Sequence, residues 1–198
     1  MAKPANKMRK ITLDIETTGE LGGGLPDPTI LNLSIACIHD SITDEFLSFT
    51  QEELPKLWPI LEQADLLIGY NSDHFDIPIL NKYYSGNLSG IKSVDLLKEV
   101  RAVLGRRLRM DNVAEATLGR KKSGNGLQAV RWWEEGKYDL VRQYCIEDVR
   151  ITRDLYDYAR KHNSLKYTDF DGVRDIKLNT SGWESLTVQG ALTHTLPF

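Results

Sequence analysis

The order of its periodic segments constrains this chain more than any other feature. Three short runs of β-branched and apolar residues, 9 to 16, 30 to 39 and 42 to 49, precede any stretch with helical spacing. The loop LGGGLPDP and a tight His-Asp-Ser turn separate them, so they read as three consecutive strands, antiparallel to one another. Leu54, Leu57, Trp58 and Leu61 then recur at helical intervals within 52 to 64, and residues 65 to 70 form the short apolar run of a buried strand. There follow a helix opening near Pro78, a short strand around Ile91 and helical patterns at 93 to 104, 111 to 118 and 124 to 135. A long helix runs from Asp139, read as its N-cap, to about Lys161. Three strands followed by alternating helices and strands predict an α/β domain with helices packed on both faces of a mixed sheet. Beyond Asn163 the pattern changes to FDG, NTSG and brief β-prone pieces. The expected organisation is a main domain over 1–163 and a C-terminal extension over 164–198, a β-hairpin or loosely packed tail.

A chain of 198 residues, 41% hydrophobic and 27% charged, suffices for one core. The longest apolar run, Ile30 to Ile38, is broken by Asn32 and Ser34 and is far shorter than the roughly 18 residues of a membrane helix. The start, MAKPANKMRK, leads into the alternating run Ile11 to Ile15 without an apolar signal region, so the expected location is cytoplasmic. Cys37 and Cys145 lie in apolar runs outside any CxxC or Cys/His pattern and read as buried thiols. The net charge of −3 does not suggest a binder of polyanions, but charge is unevenly distributed. Between Lys98 and Arg131 there are nine Lys or Arg residues against three acids, a candidate phosphate-facing surface.

Chemistry-bearing residues cluster in three segments. In DIETTG, Asp14 and Glu16 alternate with Leu13 and Ile15, which puts both carboxylates on one strand face. In GYNSDHFDIPIL, Asp76 stands between Phe75 and Ile77 just before a helix, whereas the flanks of Asp73 are polar. In QYCIEDVRITRDLYDYA, Tyr144 and Asp148 are four apart and share a helix face, while Glu147 and Asp154 read as solvated. Each segment alone has an ordinary explanation: a solvated strand face, an acid at a helix N-terminus, an amphipathic helix. Four carboxylates converging on one place would repel one another unless cations were present, and an all-oxygen ligand set suits magnesium rather than zinc.

Together the three stretches resemble the three motifs of the DEDD superfamily, the ribonuclease H-like 3′-to-5′ exonucleases. DIET matches the first motif, Asn71 to Asp76 the second and Tyr144 to Asp148 the third. The Tyr-x-x-x-Asp spacing resembles the tyrosine branch, which includes ribonuclease D and the proofreading domains of DNA polymerases; Gln143 stands where a histidine-branch member would carry its histidine. The resemblance spans roughly residues 9 to 160. It implies a three-layer α/β/α fold with a three-strand antiparallel meander plus parallel strands, and two divalent ions, Mg²⁺ or Mn²⁺. Asp14 would bridge the ions, with Glu16 and Asp148 on one and Asp76 helping to hold the other. Tyr144 would orient the attacking water, since a reference pKa of about 10 makes tyrosine a poor base at neutral pH. Thr17 or Thr18 would touch the terminal nucleotide, and Asn71 and Phe75 would line its sugar and base. The implied partner is nucleic acid, the 3′ end of single-stranded DNA or RNA. The stretch from Asn125 to Val149 also resembles bacterial members that stand alone or accompany a helicase, which points to a helicase or a repair or RNA-processing associate. The rival expectations are a silent nucleic-acid-binding module and an endonuclease using the same site. GRKKSGNG is not a P-loop, because Lys121 replaces the glycine required before Lys-Ser. Trp132 and Trp133, adjacent on a helix, face different ways, so at least one is expected in the core.

Overall fold

The computed structural model describes residues 7–18, 30–120 and 126–185. The loop LGGGLPDP, residues 121–125 of GRKKSGNG and the last thirteen positions of the extension lie outside the described residues.

The alternation in the first run sets the architecture. Strand β1 (Lys10–Thr18) buries Ile11, Leu13 and Ile15 on one face, and carries Thr12, Asp14 and Glu16 on the other. It is the central strand of a five-stranded sheet in the order β3-β2-β1-β4-β5. β2 (Asn32–Asp40) and β3 (Glu45–Thr50) complete the antiparallel meander, while β4 (Leu66–Gly69) and β5 (Ser93–Asp95) add in parallel on the other side. Two core layers follow. Against Ile11, Leu13 and Ile15 pack α1 (Leu54–Glu62), through Leu54, Leu57 and Leu61, and α2 (Asp76–Asn81), through Ile77, Ile79 and Leu80. On the opposite face lie α3 (Leu96–Leu104), α4 (Met110–Leu118), α5 (Gly126–Glu134) and the long α6 (Tyr138–His162). The three-layer α/β/α arrangement with a mixed sheet is therefore the one expected.

Local corrections have physical reasons. Asp139 is not the cap of α6, because the helix starts one residue earlier, after Gly136 turns the chain at φ +73° and Tyr138 packs on Trp133 at 4.6 Å. Asp139 sits in the first turn instead, paired with Arg142. The third strand begins at Glu45, since Ser41–Asp44 form a turn in which Asp44 adopts φ +59°. Ile91 is not in a strand. It follows a 3-10 turn, and pairing with β4 assigns residues 93–95 to β5, so α3 begins at Leu96 rather than 93.

The extension contains a hairpin, β6 (Ser164–Asp169) and β7 (Gly172–Lys177), but it is not loosely packed. Leu165, Tyr167, Ile176, Leu178 and Trp183 are buried in one core with Val100, Val113, Leu155 and Tyr156. Trp183 stacks on Tyr156 at 5.5 Å, and Glu184 joins Lys10, Tyr156 and Arg160.

Candidate active site

β1 and α6 bring the acids together. Asp14 and Glu16 leave β1 on the face that α6 covers, opposite Cys37 and Ile35 of β2 in the sheet register. Tyr144 and Asp148, one helical turn apart on α6, are both buried against that face. Carboxylate oxygens of Asp14, Glu16 and Asp148 all lie within 4.8 Å of one another. Glu16 and Asp148 are buried and Asp14 is half-buried, so their repulsion is poorly screened by water and favours a cation among them. A hard divalent ion with oxygen ligands at roughly 2.0–2.6 Å places opposite ligands about that far apart, so this donor set fits such an ion. The register shifts between Glu16 and Thr17, just beyond the cluster, before pairing resumes at Thr17 with Leu33.

Asp76 approaches the same strand by another route. β1 outruns β4, whose pairing with it ends at Thr12, and Asp76 takes the place of the missing strand by accepting the Ile15 N–H at 3.1 Å. Burial pushes the Asp76 carboxyl up to about 7. Its own and the Ile15 N–H groups oppose the shift, while the fields of Asp95 and Asp148 add to it. The field of Asp148 thus reaches Asp76, but Asp76 is not one of the three acids whose oxygens cluster. Its neighbour in sequence, Asp73, points elsewhere, bonding Lys98 and Ser93.

The turn that delivers Asp76 depends on two residues. At Gly69 a Cβ would overlap the Ser72 side chain, so only glycine lets the chain fold back this tightly. Asn71 follows at φ +72° and is held there by Asp95, which accepts the Asn71 N–H at 2.7 Å and that of Asp73 at 3.2 Å. Asp95 also caps α3 through the N–H groups of Leu97 and Lys98. The Asn71 side-chain oxygen accepts from Arg107 at 2.8 Å. Phe75 is half-buried against the α1/α2 core, Thr17 is buried beside the cluster, and the Thr18 hydroxyl faces the Asn32 carbonyl at 3.5 Å.

Three participants escape a reading of the sequence. The Cys145 thiol lies 3.4 Å from the Asp14 carbonyl and 3.6 Å from its carboxylate. Burial pushes that thiol up, and Cys37, Asp14 and Glu16 push the same way, so it stays a neutral donor. Asp95 carries a helix-start signature, an acid before a periodic run, but its hold on Asn71 is tertiary. Arg107 is one of many cations in its segment, and nothing in the sequence sets it apart. Trp132 and Trp133 both pack partly against the β2/α6 core, Trp132 meeting the Tyr144 ring edge-on at 6.2 Å.

Comparison with known proteins places this arrangement. No curated protein sequence matches the chain significantly. Among solved structures, the family B DNA polymerase from the hyperthermophilic archaeon Pyrobaculum calidifontis is similar, with a TM-score of 0.62 and 21% identity over 77% of this chain. At that identity the likeness shows the fold, and the chain spans 24% of the polymerase's length. Residues 11–160, which include all four acids and Tyr144, match the RNase_H superfamily. The chain therefore belongs to the RNase_H superfamily of nucleases.

Proposed function

We propose that this protein is a metal-dependent 3′-to-5′ exonuclease of the tyrosine branch, hydrolysing phosphodiester bonds in single-stranded DNA or RNA. The observation that carries the reading is the meeting of Asp14, Glu16 and Asp148, from two distant segments, within 4.8 Å beneath Tyr144's helix. In this reading Asp14, Glu16 and Asp148, with the help of Asp76, would hold two divalent ions, magnesium or manganese. Such a pair of ions, when bound, acidifies a water and stabilises the departing 3′ oxygen.

The protein's own groups do the positioning. Tyr144, fixed by packing against Trp132, offers a hydroxyl beside Asp148 to orient the attacking water. The Cys145 thiol and the strand geometry fix the Asp14 carboxylate, and Ile15 N–H fixes that of Asp76, so little reorganisation is needed when substrate arrives. In this reading Thr17, Asn71 and Phe75 would contact the terminal nucleotide.

The test is degradation of matched 5′-labelled single-stranded DNA and RNA in magnesium or manganese, beside Asp14→Ala and an EDTA control. A ladder shortening from the 3′ end, absent in both controls, is expected, with a circular strand left intact. Cutting of the circle would make the enzyme an endonuclease, and tight binding without cleavage would make it a silent binding module.

A further inference from the structure

The C-terminal hairpin carries a feature that the site does not use. Phe170, at the tip between β6 and β7, is fully exposed, at 104% of its reference surface, and Val173 beside it is 60% exposed. A single exposed apolar residue is ordinary, but this one stands on an unusual support. The tip is built rigidly: the Phe170 N–H donates to Asp169 at 3.0 Å, Gly172 turns at φ +115°, and Asn112 of α4 makes a pair of 2.9 Å hydrogen bonds with the Thr168 backbone. An aromatic ring held out into solvent on a fixed support loses little entropy when something stacks on it.

The support also connects the tip to the candidate active site. The loop between α3 and α4 holds Arg106, Arg107 and Arg109, and Tyr70 anchors it by donating to the Leu108 carbonyl at 2.9 Å. On one side Arg107 reaches Asn71, in the turn that delivers Asp76. On the other, Arg106 lies 5.5 Å over the Tyr167 ring and 3.5 Å from Asp169. Asp169 and Asp171 at the tip pair with Arg106 and Arg174, and Asp111 pairs with Arg109. Four guanidiniums thus face three carboxylates, and Arg107 makes no ion pair among the described residues. A path from the turn that delivers Asp76 to Phe170 therefore passes Arg107 and the ion-paired Arg106 and ends on an exposed aromatic face. Planar cations with an aromatic face are the combination that binds unstacked single strands without reading sequence.

We infer that the hairpin tip is a second binding point for the substrate, where Phe170 stacks a base of the single strand upstream of the 3′ end held at the acids. The inference rests on the proposed exonuclease reading, and it assigns a role to a hairpin lying outside the matched superfamily region. Because the tip lies beyond Arg107, only a strand long enough to cross the loop reaches it.

The test compares the full-length wild type with Phe170→Ala and Phe170→Trp. Fluorescence polarisation in EDTA would use 5′-fluorescein oligothymidylates of about 4 and about 20 nucleotides, spanning the site sizes of single-strand grooves. Phe170→Ala is expected to bind the long strand roughly 5- to 100-fold more weakly and the short one unchanged, and Phe170→Trp to restore the long-strand affinity. Equal affinities of wild type and Phe170→Ala for the long strand, or equal losses for both lengths, overturn the inference. Wild-type degradation in magnesium, run in parallel, separates the two ideas. Cleavage without a Phe170 effect removes the hairpin role alone, and neither cleavage nor binding removes both. Full exposure of Phe170 keeps the variants folded, which unchanged melting curves would verify.

Discussion

At the residue scale, Asp76 couples the site to pH. With its carboxyl pushed up to about 7, the metal-free folded protein keeps a proton there that the unfolded chain has lost above about 4. The folded state then binds more protons between those values, so its stability is greatest below that window and falls as pH rises through about 7. Melting temperatures in EDTA are expected to decline from about pH 5 to about pH 8, and magnesium at the upper end to restore them. Asp76→Asn keeps an acceptor for the Ile15 N–H and should flatten the profile, whereas an unchanged slope in that variant would place the titration elsewhere. Tyr144 makes a separate prediction. Tyr144→Phe preserves the ring contact with Trp132 and removes only the hydroxyl, so kcat is expected to fall roughly 10- to 100-fold with KM little changed. A rise in KM at constant kcat would instead make the hydroxyl a substrate-binding group. Tyr144 was legible as a candidate because helical spacing puts it on one face with Asp148, and Asp76 because its segment resembles the second family motif. Cys145 was not, since nothing in a sequence says that a thiol will lie against Asp14.

At the element scale, one buried carboxylate organises two pieces of chain. Asp95 caps α3 and holds Asn71 and Asp73 in the turn before α2. Burial raises its pKa against the pull of those amides, a balance that persists only while the donors stay in place. Asp95→Ala loses a helix cap and strands a partly buried amide, which together should cost about 2–4 kcal/mol of stability in urea unfolding. Asp95→Asn, which retains an acceptor, should cost less. A fall in Asp95→Ala no larger than in Asp95→Asn would mean that the turn is held by Gly69 and Ser72 alone. The elements themselves were readable from periodicity, and the displaced boundaries, at β5 and at the start of α6, are places where sheet register or a glycine turn overrode local pattern.

At the scale of the whole molecule, the hairpin and the segment after it close the second core. Lys10, at the start of the strand that carries Asp14, meets Glu184 at 3.0 Å. Burial would raise the Glu184 carboxyl, but hydrogen bonds from Lys10, Tyr156 and Arg160 hold it down to about 2. A chain ending at Asn163 would expose Leu155 and Tyr156 and lose Trp183, so it is expected to express poorly and to lack a cooperative melt by circular dichroism. A soluble 1–163 fragment that melts like the full chain would show the extension to be an accessory. The sequence by itself determined the element order and the α/β class, because strand and helix periods are local and dictate which side chains share a face. The four acids stood out only through the joint resemblance of three segments to one family's motifs. Only the tertiary structure decided that Asp14, Glu16 and Asp148 meet while Asp76 stands behind an amide of β1, and that the extension belongs to the core. Those outcomes depend on sheet register, on where β4 stops pairing and on how much apolar surface α3, α4 and α6 leave uncovered, and each is set by contacts between residues far apart in the chain.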